Sequence, residues 1–550
     1  MMRKDAGVDG DAQRIGQLAW MLFLKIFDDQ EKEREIRNGK YVSPMPAHLR
    51  WREWAGEDEG LTGDKLLDFI NNDLFKTLKE LSVPHAETGA QIIRQVFADS
   101  NNYMKNGTLI RQVINKINEM DFNRSEDRRQ FGEIYEKILK DLQSAGNAGE
   151  FYTPRAVTQF MTEMLDPKAG EKVLDPACGT GGFLSCTIDH VRTRYVKTPE
   201  QETRLQVSVL GIEKKQLPHV LCITNMMLHG IETPSFILHD NALREGDKGI
   251  TEKDRVDVIL TNPPFGGQEE DGIETNFSIK SRETADLFLL LIIRLLKKGG
   301  RCGIVLPDGT LFGDGVKARI KEKLLEECRL HTIVRLPNGV FNPYTGIKTN
   351  LLFFTKRGPT EEIWFYEHPY PEGYKSYSKT KPMQMEEFEP EKAWWNARTE
   401  NEYAWKIDFK TLKQEALSKA KPHWAEADAH TKEAMRLEAE VRMIAKDIAE
   451  LKKEDEKKNR KKIKALQDKQ KQFQKDAEQL REKAKMAQET GDAVYWPIYN
   501  LDLPNPHQAK TEKRDSEKML KDYRELLQEI TEIREQLKQE LMNAIGGKSA

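Results

Sequence analysis

Asn262-Pro263-Pro264-Phe265 is the run in this sequence whose residue types do the most specific chemistry. Two successive prolines fix φ and lack an N–H, yet keep their carbonyls as acceptors. The side-chain oxygen of Asn262 and the carbonyl of Pro263 can then point the same way. Two convergent acceptors suit an exocyclic NH2. Accepting both hydrogens draws that nitrogen toward tetrahedral geometry and frees its lone pair for an electrophile. Phe265 offers a face on which a planar base can stack. A base inside a duplex is out of reach and must first be turned out of the stack. The plainer reading is an ordinary Asn-Pro turn. The apolar run VDVIL at 256–260 argues against it, because it puts the motif at the tip of a strand.

A second constellation lies upstream. DPACGTGGF, Asp175 to Phe183, follows the strand-like KVLDPA at 172–177 and opens the helix-like stretch 182–195. Gly179, Gly181 and Gly182 let the backbone approach a ligand closely, and Ala177 and Thr180 complete the turn. The spacing is neither GxGxxG nor GxxxxGK[ST], and no P-loop occurs in the chain, which sets aside a motor ATPase. The carboxylate of Asp175 suits an ammonium group better than a pyrophosphate. VSVLGI at 207–212 runs into Glu213, which can accept from ribose hydroxyls; its plain reading is a surface glutamate. SFILH at 235–239 runs into Asp240 and Asn241, with Ala242 beside them. Asp240 can accept from an adenine amino group while a small apolar flank covers the ring; its plain reading is a helix N-cap. The three tips outline a nucleoside that carries an ammonium group. S-adenosyl-L-methionine fits that outline, and no metal is called for.

Such tips need a sheet to hold them. Seven short β-rich runs, the four above with CGIVL at 302–306, TIVRL at 332–336 and NLLFF at 350–354, alternate with helix-like stretches at 182–195, 215–229, 285–298 and 315–328. Buried strands alternating with helices predict a parallel α/β sheet covered on both faces, a Rossmann-like sheet over residues 146–375. Residues 1–145 read as an all-helical N-terminal domain, with apolar positions three or four apart, as in Leu18, Met21, Leu22 and Ile26. From about 376 to 550 strands are expected to disappear in favour of a helical, coiled-coil region. Leu437, Val441, Ile444, Ile448 and Leu451 form one heptad seam, and Met519, Tyr523, Leu526, Ile530, Ile533 and Leu537 another. Between them, residues 451–485 hold fourteen Lys or Arg against seven Asp or Glu, a local charge of +7 whose plain reading is a solvated helix face. The proline-bearing break at 494–508 is the expected point of chain reversal.

The 550 residues carry 87 Lys plus Arg and 90 Asp plus Glu, so the net charge of −3 excludes a globally basic coat for nucleic acid. Five cysteines without a CxxC pair exclude a disulfide scaffold. With no signal-like start and no long apolar run, the expectation is a reduced cytoplasmic protein without a membrane segment.

On these motifs the chain resembles the modification (methyltransferase) subunits of type I restriction–modification systems, over most of its length. Gly149-Glu150-Phe151-Tyr152-Thr153-Pro154-Arg155 is similar to the family's first cofactor-binding segment, DPACGTGGF to its cofactor loop and NPPF to its adenine-methylation signature. The order of the three matches as well. The resemblance implies that Glu150, Phe151, Tyr152, Thr153, Pro154 and Arg155 hold the cofactor, with Thr153 at its carboxylate and Arg155 as a cap. TPR also reads as a helix start, with Thr153 as N-cap and Pro154 at the first turn. Asp286-Leu287-Phe288 would line the pocket, and Phe341 would be a second base-stacking ring, unless it is simply core. The implied activity is methylation of adenine N6. The implied partners are double-stranded DNA, a specificity subunit, a second modification subunit and a restriction subunit. The two seams are the expected subunit contacts, and the helical front is expected to close on DNA. Rival readings are a protein-glutamine methyltransferase, a cytosine-N4 methyltransferase and a non-catalytic scaffold that keeps the fold.

Overall fold

The computed structural model describes residues 1–83, 88–124, 131–139 without 133 and 136, 152–342, 344–378 and 380–507, with 530, 533, 534 and 537 near the end. The seven anticipated runs become β1 (Val173–Asp175), β2 (Val209–Glu213), β3 (Ile237–His239), β4 (Val256–Thr261), β5 (Leu296–Pro307), β6 (Arg329–Arg335) and β7 (Thr349–Thr355). Two more, β8 (Glu362–Glu367) and β9 (Ala404–Asp408), join the same nine-stranded sheet in the order β3-β2-β1-β4-β5-β7-β6-β8-β9.

The sheet is mixed rather than parallel throughout. β3, β2, β1, β4 and β5 run parallel, whereas β7 is antiparallel to both β5 and β6. The connection from β6 to β7 is a loop without a crossover helix, and parallel pairing needs a crossover. β9 lies beyond residue 376, where strands were expected to end. It closes the far edge antiparallel to β8, with Trp405 stacked on Phe365 at 5.1 Å. Its AWKID pattern alternates too briefly to stand out between two helices.

Helices Arg155–Leu165, Gly182–Arg194, Gln216–Leu228, Thr284–Leu295 and Val316–Glu327 cover the faces. The front region is helical as expected and packs directly against the sheet's covering helices. In helix Asp11–Arg37, Trp20, Leu22, Phe23 and Ile26 are buried in one continuous apolar cluster with Val220 and Ile223 of helix Gln216–Leu228. Gln216 donates to the carbonyls of Gln95 and Val96 at 3.0 and 2.9 Å, and the Tyr135 hydroxyl to that of Leu221 at 3.0 Å.

The helix Phe409–Tyr495 breaks at Asp455 (φ −167°, ψ 99°) and folds back on itself. Reversal therefore occurs at Asp455, not at 494–508. Asp455 accepts from the N–H of Lys458 at 3.1 Å, a cap that starts the second leg. Ile444 and Ile448 of the first seam pack on Ile463, with Leu451, Leu466 and Phe473 around them, so that stripe is covered by its own returning chain. Farther down, a Cβ at Gly491 would lie 2.6 Å from Trp424, which is how closely the legs approach. Residues 494–507 instead strap the hairpin to the sheet, through Tyr495 to Glu322, Leu501 to the Leu311 carbonyl and Asp502 to Arg335. Of the second seam, Met519, Tyr523 and Leu526 lie outside the described residues, while Ile530, Ile533 and Leu537 are exposed.

Candidate functional site

The strand order reverses direction between β1 and β4, which are neighbours in space but separated by β2 and β3 in sequence. Ligands of open α/β sheets bind at the carboxyl ends flanking such a point. Asp175 ends β1, Thr261 ends β4 with Asn262 next, and Glu213 ends β2. A cavity of about 430 Å3 opens there. Its wall brings together the anticipated Thr153, Asp175, Ala177, Gly179, Gly182, Glu213, Asn262 and Pro264.

The Gly-rich turn is held by its neighbours. Gly179 and Gly181 have φ of 53° and 83°, the left-handed region that glycine enters without strain. A Cβ on Gly181 would also meet the Cys222 sulfur at 2.8 Å. Thr180 is buried, and its carbonyl accepts from Asn225 at 3.0 Å. Glu213, also buried, accepts from the N–H groups of Gly179 at 3.0 Å and Lys215 at 2.7 Å, so one carboxylate ties the β1 turn to the β2 turn.

Asp175 is fully buried and accepts from the Ala177 N–H at 3.1 Å. Burial pushes its carboxyl up to about 7, and the charge of Glu213 acts in the same direction. A cationic ligand beside it would reverse that shift. The Cys178 thiol, on the same wall, is held well above its ordinary value by Cys222 and by burial, so it stays a neutral thiol.

Asn262 donates through Nδ2 to Thr153 Oγ1 at 3.1 Å. Its Oδ1 is buried and has no hydrogen-bond partner among the described residues. A buried acceptor left unpaired costs about 1–3 kcal/mol, and it is what a ligand's N–H would satisfy. Pro263 is buried beside it and Pro264 is exposed. Phe265 is half-buried and meets Phe341 edge-on, with centroids 6.1 Å apart. Phe341 itself is only 2% exposed, inside the apolar cluster of Phe160 and Phe353.

Several anticipated residues are not on the wall. Pro154, not Thr153, is the N-cap of helix Arg155–Leu165, since the Thr153 hydroxyl is engaged by Asn262 instead. Arg155 donates to Ser185 at 2.6 Å and pairs with Asp189 at 3.2 Å, which braces the helix that follows the Gly-rich turn. Asp240 pairs with Arg244, and Ala242 packs into the core below. Asn241 acts at one remove, donating to Glu269 on the wall at 3.1 Å. Asp286 is buried and bound by Ser281 and Lys317, each at 2.8 Å, while Leu287 and Phe288 are core. Tyr152 packs against the front helical cluster. Glu150 and Phe151 lie outside the described residues. Lys214, Lys215, Gly267, Gln268, Glu269 and Thr284 are wall residues that the sequence reading missed. Lys214 and Lys215 follow β2 and Thr284 opens helix Thr284–Leu295, whereas the loop carrying Gly267, Gln268 and Glu269 has no periodicity. Its only signal was its place directly after NPPF. It is held by Thr284 N–H donating to the Gly267 carbonyl at 3.0 Å and by Lys214 pairing with Glu269 at 3.0 Å.

Comparison with known proteins fits this site. The pattern of the N-6 DNA methylase family matches residues 126–433, more than half of the chain, and that of the HsdM N-terminal domain matches 1–117. The chain belongs to the N-6 DNA methylase family. It is 63% identical over 417 residues to the type I restriction enzyme EcoEI methylase subunit of Escherichia coli, covering 74% of this chain and 85% of that one. A crystal structure of a modification subunit of a type I restriction enzyme from Vibrio vulnificus YJ016 aligns with a TM-score of 0.68 at 46% identity, covering 75% of this chain and 90% of that one. A structure described as showing complex assembly and conformational transition of the type I R-M system aligns with a TM-score of 0.72 at 32% identity, over 98% of this chain and 96% of that one. Membership makes this methylase an enzyme acting on adenine N6 in DNA, and it excludes the glutamine and cytosine-N4 readings. Among its described residues, no helix is long and apolar enough to cross a membrane.

Proposed function

We propose that this methylase is the modification subunit of a cytoplasmic type I restriction–modification complex, using S-adenosyl-L-methionine to methylate N6 of an adenine turned out of duplex DNA. The cavity chemistry supports the cofactor: a buried carboxylate for its ammonium group, a carboxylate at the next strand tip for its ribose, and a glycine turn that admits it closely. When bound, the cofactor supplies a methyl group already activated on a sulfonium. Asp175 and Glu213 would orient it, and Thr153 fixes the Asn262 amide by accepting from its Nδ2. Asn262 Oδ1, with the Pro263 carbonyl, accepts from the N6 hydrogens and holds the nitrogen with its lone pair free. Phe265 stacks on the base, and Phe341 supports Phe265 from behind. Transfer is direct, the amine giving up one proton to water as it takes the methyl group, and catalysis comes from orientation and preorganised acceptors.

The observation that carries this reading is the buried, unpartnered Oδ1 of Asn262 on the wall of a cavity at the switch point. The non-catalytic scaffold has no use for such an atom. Target choice comes from a separate specificity subunit, on which two copies of this methylase assemble, with a restriction subunit as a further partner. Mapping methylated adenines in cells tests the reading. Asn262→Ala should erase the modified positions while the purified protein still binds the cofactor. Persisting methylation would overturn it.

A further inference from the structure

The opposite edge of the sheet carries a second cavity, of about 280 Å3, at the amino ends of β6 and β8 and the carboxyl end of β7. Arg329, Arg357 and Arg398 line it together with Glu362 and Trp364. Among the described residues, none of the three guanidinium groups is paired with a carboxylate. Glu362, the acidic group on the wall, is taken by Lys406 at 2.7 Å.

Arg398 is fixed in place. Its guanidinium carbon lies 4.9 Å from the Trp395 ring centre and 5.5 Å from that of Trp394. Nε donates to the Trp395 carbonyl and Nη1 to that of His331, each at 3.2 Å. Arg329 and Arg357 are exposed and reach the same space from two different strand ends. The local field agrees with this geometry. Burial and the charge of Arg329 push Arg398 down to about 10, and burial with both arginines pushes His331 down to about 3. Positive charge is therefore gathered here with no carboxylate paired to it among the described residues.

We infer that this pocket binds a phosphoryl group, with Arg398 as a fixed fork, Arg329 and Arg357 as closing arms and Trp364 as a flanking aromatic wall. A lone carboxylate would neutralise one guanidinium of the three. A phosphate carries up to two charges, and its oxygens point in several directions, matching planar forks that arrive from separate strands. The group can come from a free nucleotide or from a nucleic-acid backbone. Both have the same recognition chemistry.

The test uses the full chain at constant ionic strength. Inorganic phosphate, ADP and a random-sequence duplex are each titrated while thermal melting and tryptophan fluorescence are followed. Phosphate and ADP should raise the melting temperature saturably. In Arg329→Gln/Arg357→Gln, which alters only exposed side chains, binding should weaken by about tenfold or more, with S-adenosyl-L-methionine affinity unchanged. Arg398→Lys keeps the charge but loses the fork, and should weaken binding as well. If only the duplex responds, and the double substitution lowers its affinity and flattens its salt dependence, the phosphoryl group is that of a backbone. Absence of binding by all three ligands, or equal binding by wild type and variants, would overturn the inference.

Discussion

The switch-point cleft and the C-terminal hairpin are built on opposite terms. In the cleft, polar groups sit on short strand tips, and some are left wanting: among the described residues, Asn262 Oδ1 has no partner and Asp175 is buried without a counter-cation. In the hairpin, charge is abundant but solvated, and the apolar stripe is closed by its own second leg. Stability lost at the tips is tolerated because nine strands and five covering helices hold them. The hairpin has no such surplus and satisfies itself locally. Binding energy for a substrate is therefore stored in the cleft, while the hairpin offers shape.

That contrast is sharpest at Asn262. Asn262→Ala should lower kcat by about 10²–10³-fold, as losing one preorganised polar contact to a transition state does, with cofactor affinity unchanged by calorimetry. An equal fall in cofactor affinity would mean that the tip is structural.

Asp175 comes next. Its carboxyl must ionise to meet an ammonium group, so cofactor affinity should climb as pH rises through about 7. The slope should vanish in Asp175→Asn, whose affinity should fall by roughly 10–100-fold, the worth of about 1.4–2.8 kcal/mol. The sign for folding is opposite. A carboxyl at about 7 in the folded chain and about 3.9 unfolded favours the folded state while protonated. Its contribution to the unliganded protein is thus full below about 4 and is lost as pH rises to about 7. Melting curves with and without cofactor across that window should diverge.

In the hairpin, Gly491→Leu should force the legs apart at Trp424, costing about 1–3 kcal/mol and loosening the base of the hairpin, with cofactor binding intact. Proteolysis after Asp455 together with cofactor calorimetry would show whether the two regions are as separate as proposed. Smallest of all, Arg481→Gln removes an exposed pair to Glu438 at 3.0 Å and should leave the melting temperature almost unchanged. A larger loss would show that the hairpin depends on charge rather than on its apolar seam.

Much of the cleft was legible because its chemistry is local. Asp175, Glu213 and Asn262 each follow an apolar run that announces a strand, and a strand tip is where a side chain meets solvent and ligand together. Arg155 and Asp240 lie off the cavity wall, paired with Asp189 and Arg244, a pairing no motif records. The wall loop Gly267–Glu269 was missed because nothing periodic marks a loop held by contacts from Asn241, Lys214 and Thr284.

By itself the sequence determined the seven strands, the helices between them and the two motifs, since apolar periodicity and turn residues act over a few neighbours. Only the tertiary structure decided that β1 and β4 lie side by side, that β7 runs against its neighbours, that β8 and β9 extend the sheet and that the long helix turns at Asp455. Those outcomes rest on which distant surfaces bury each other and how far a connection can reach, energies that no short stretch of chain contains.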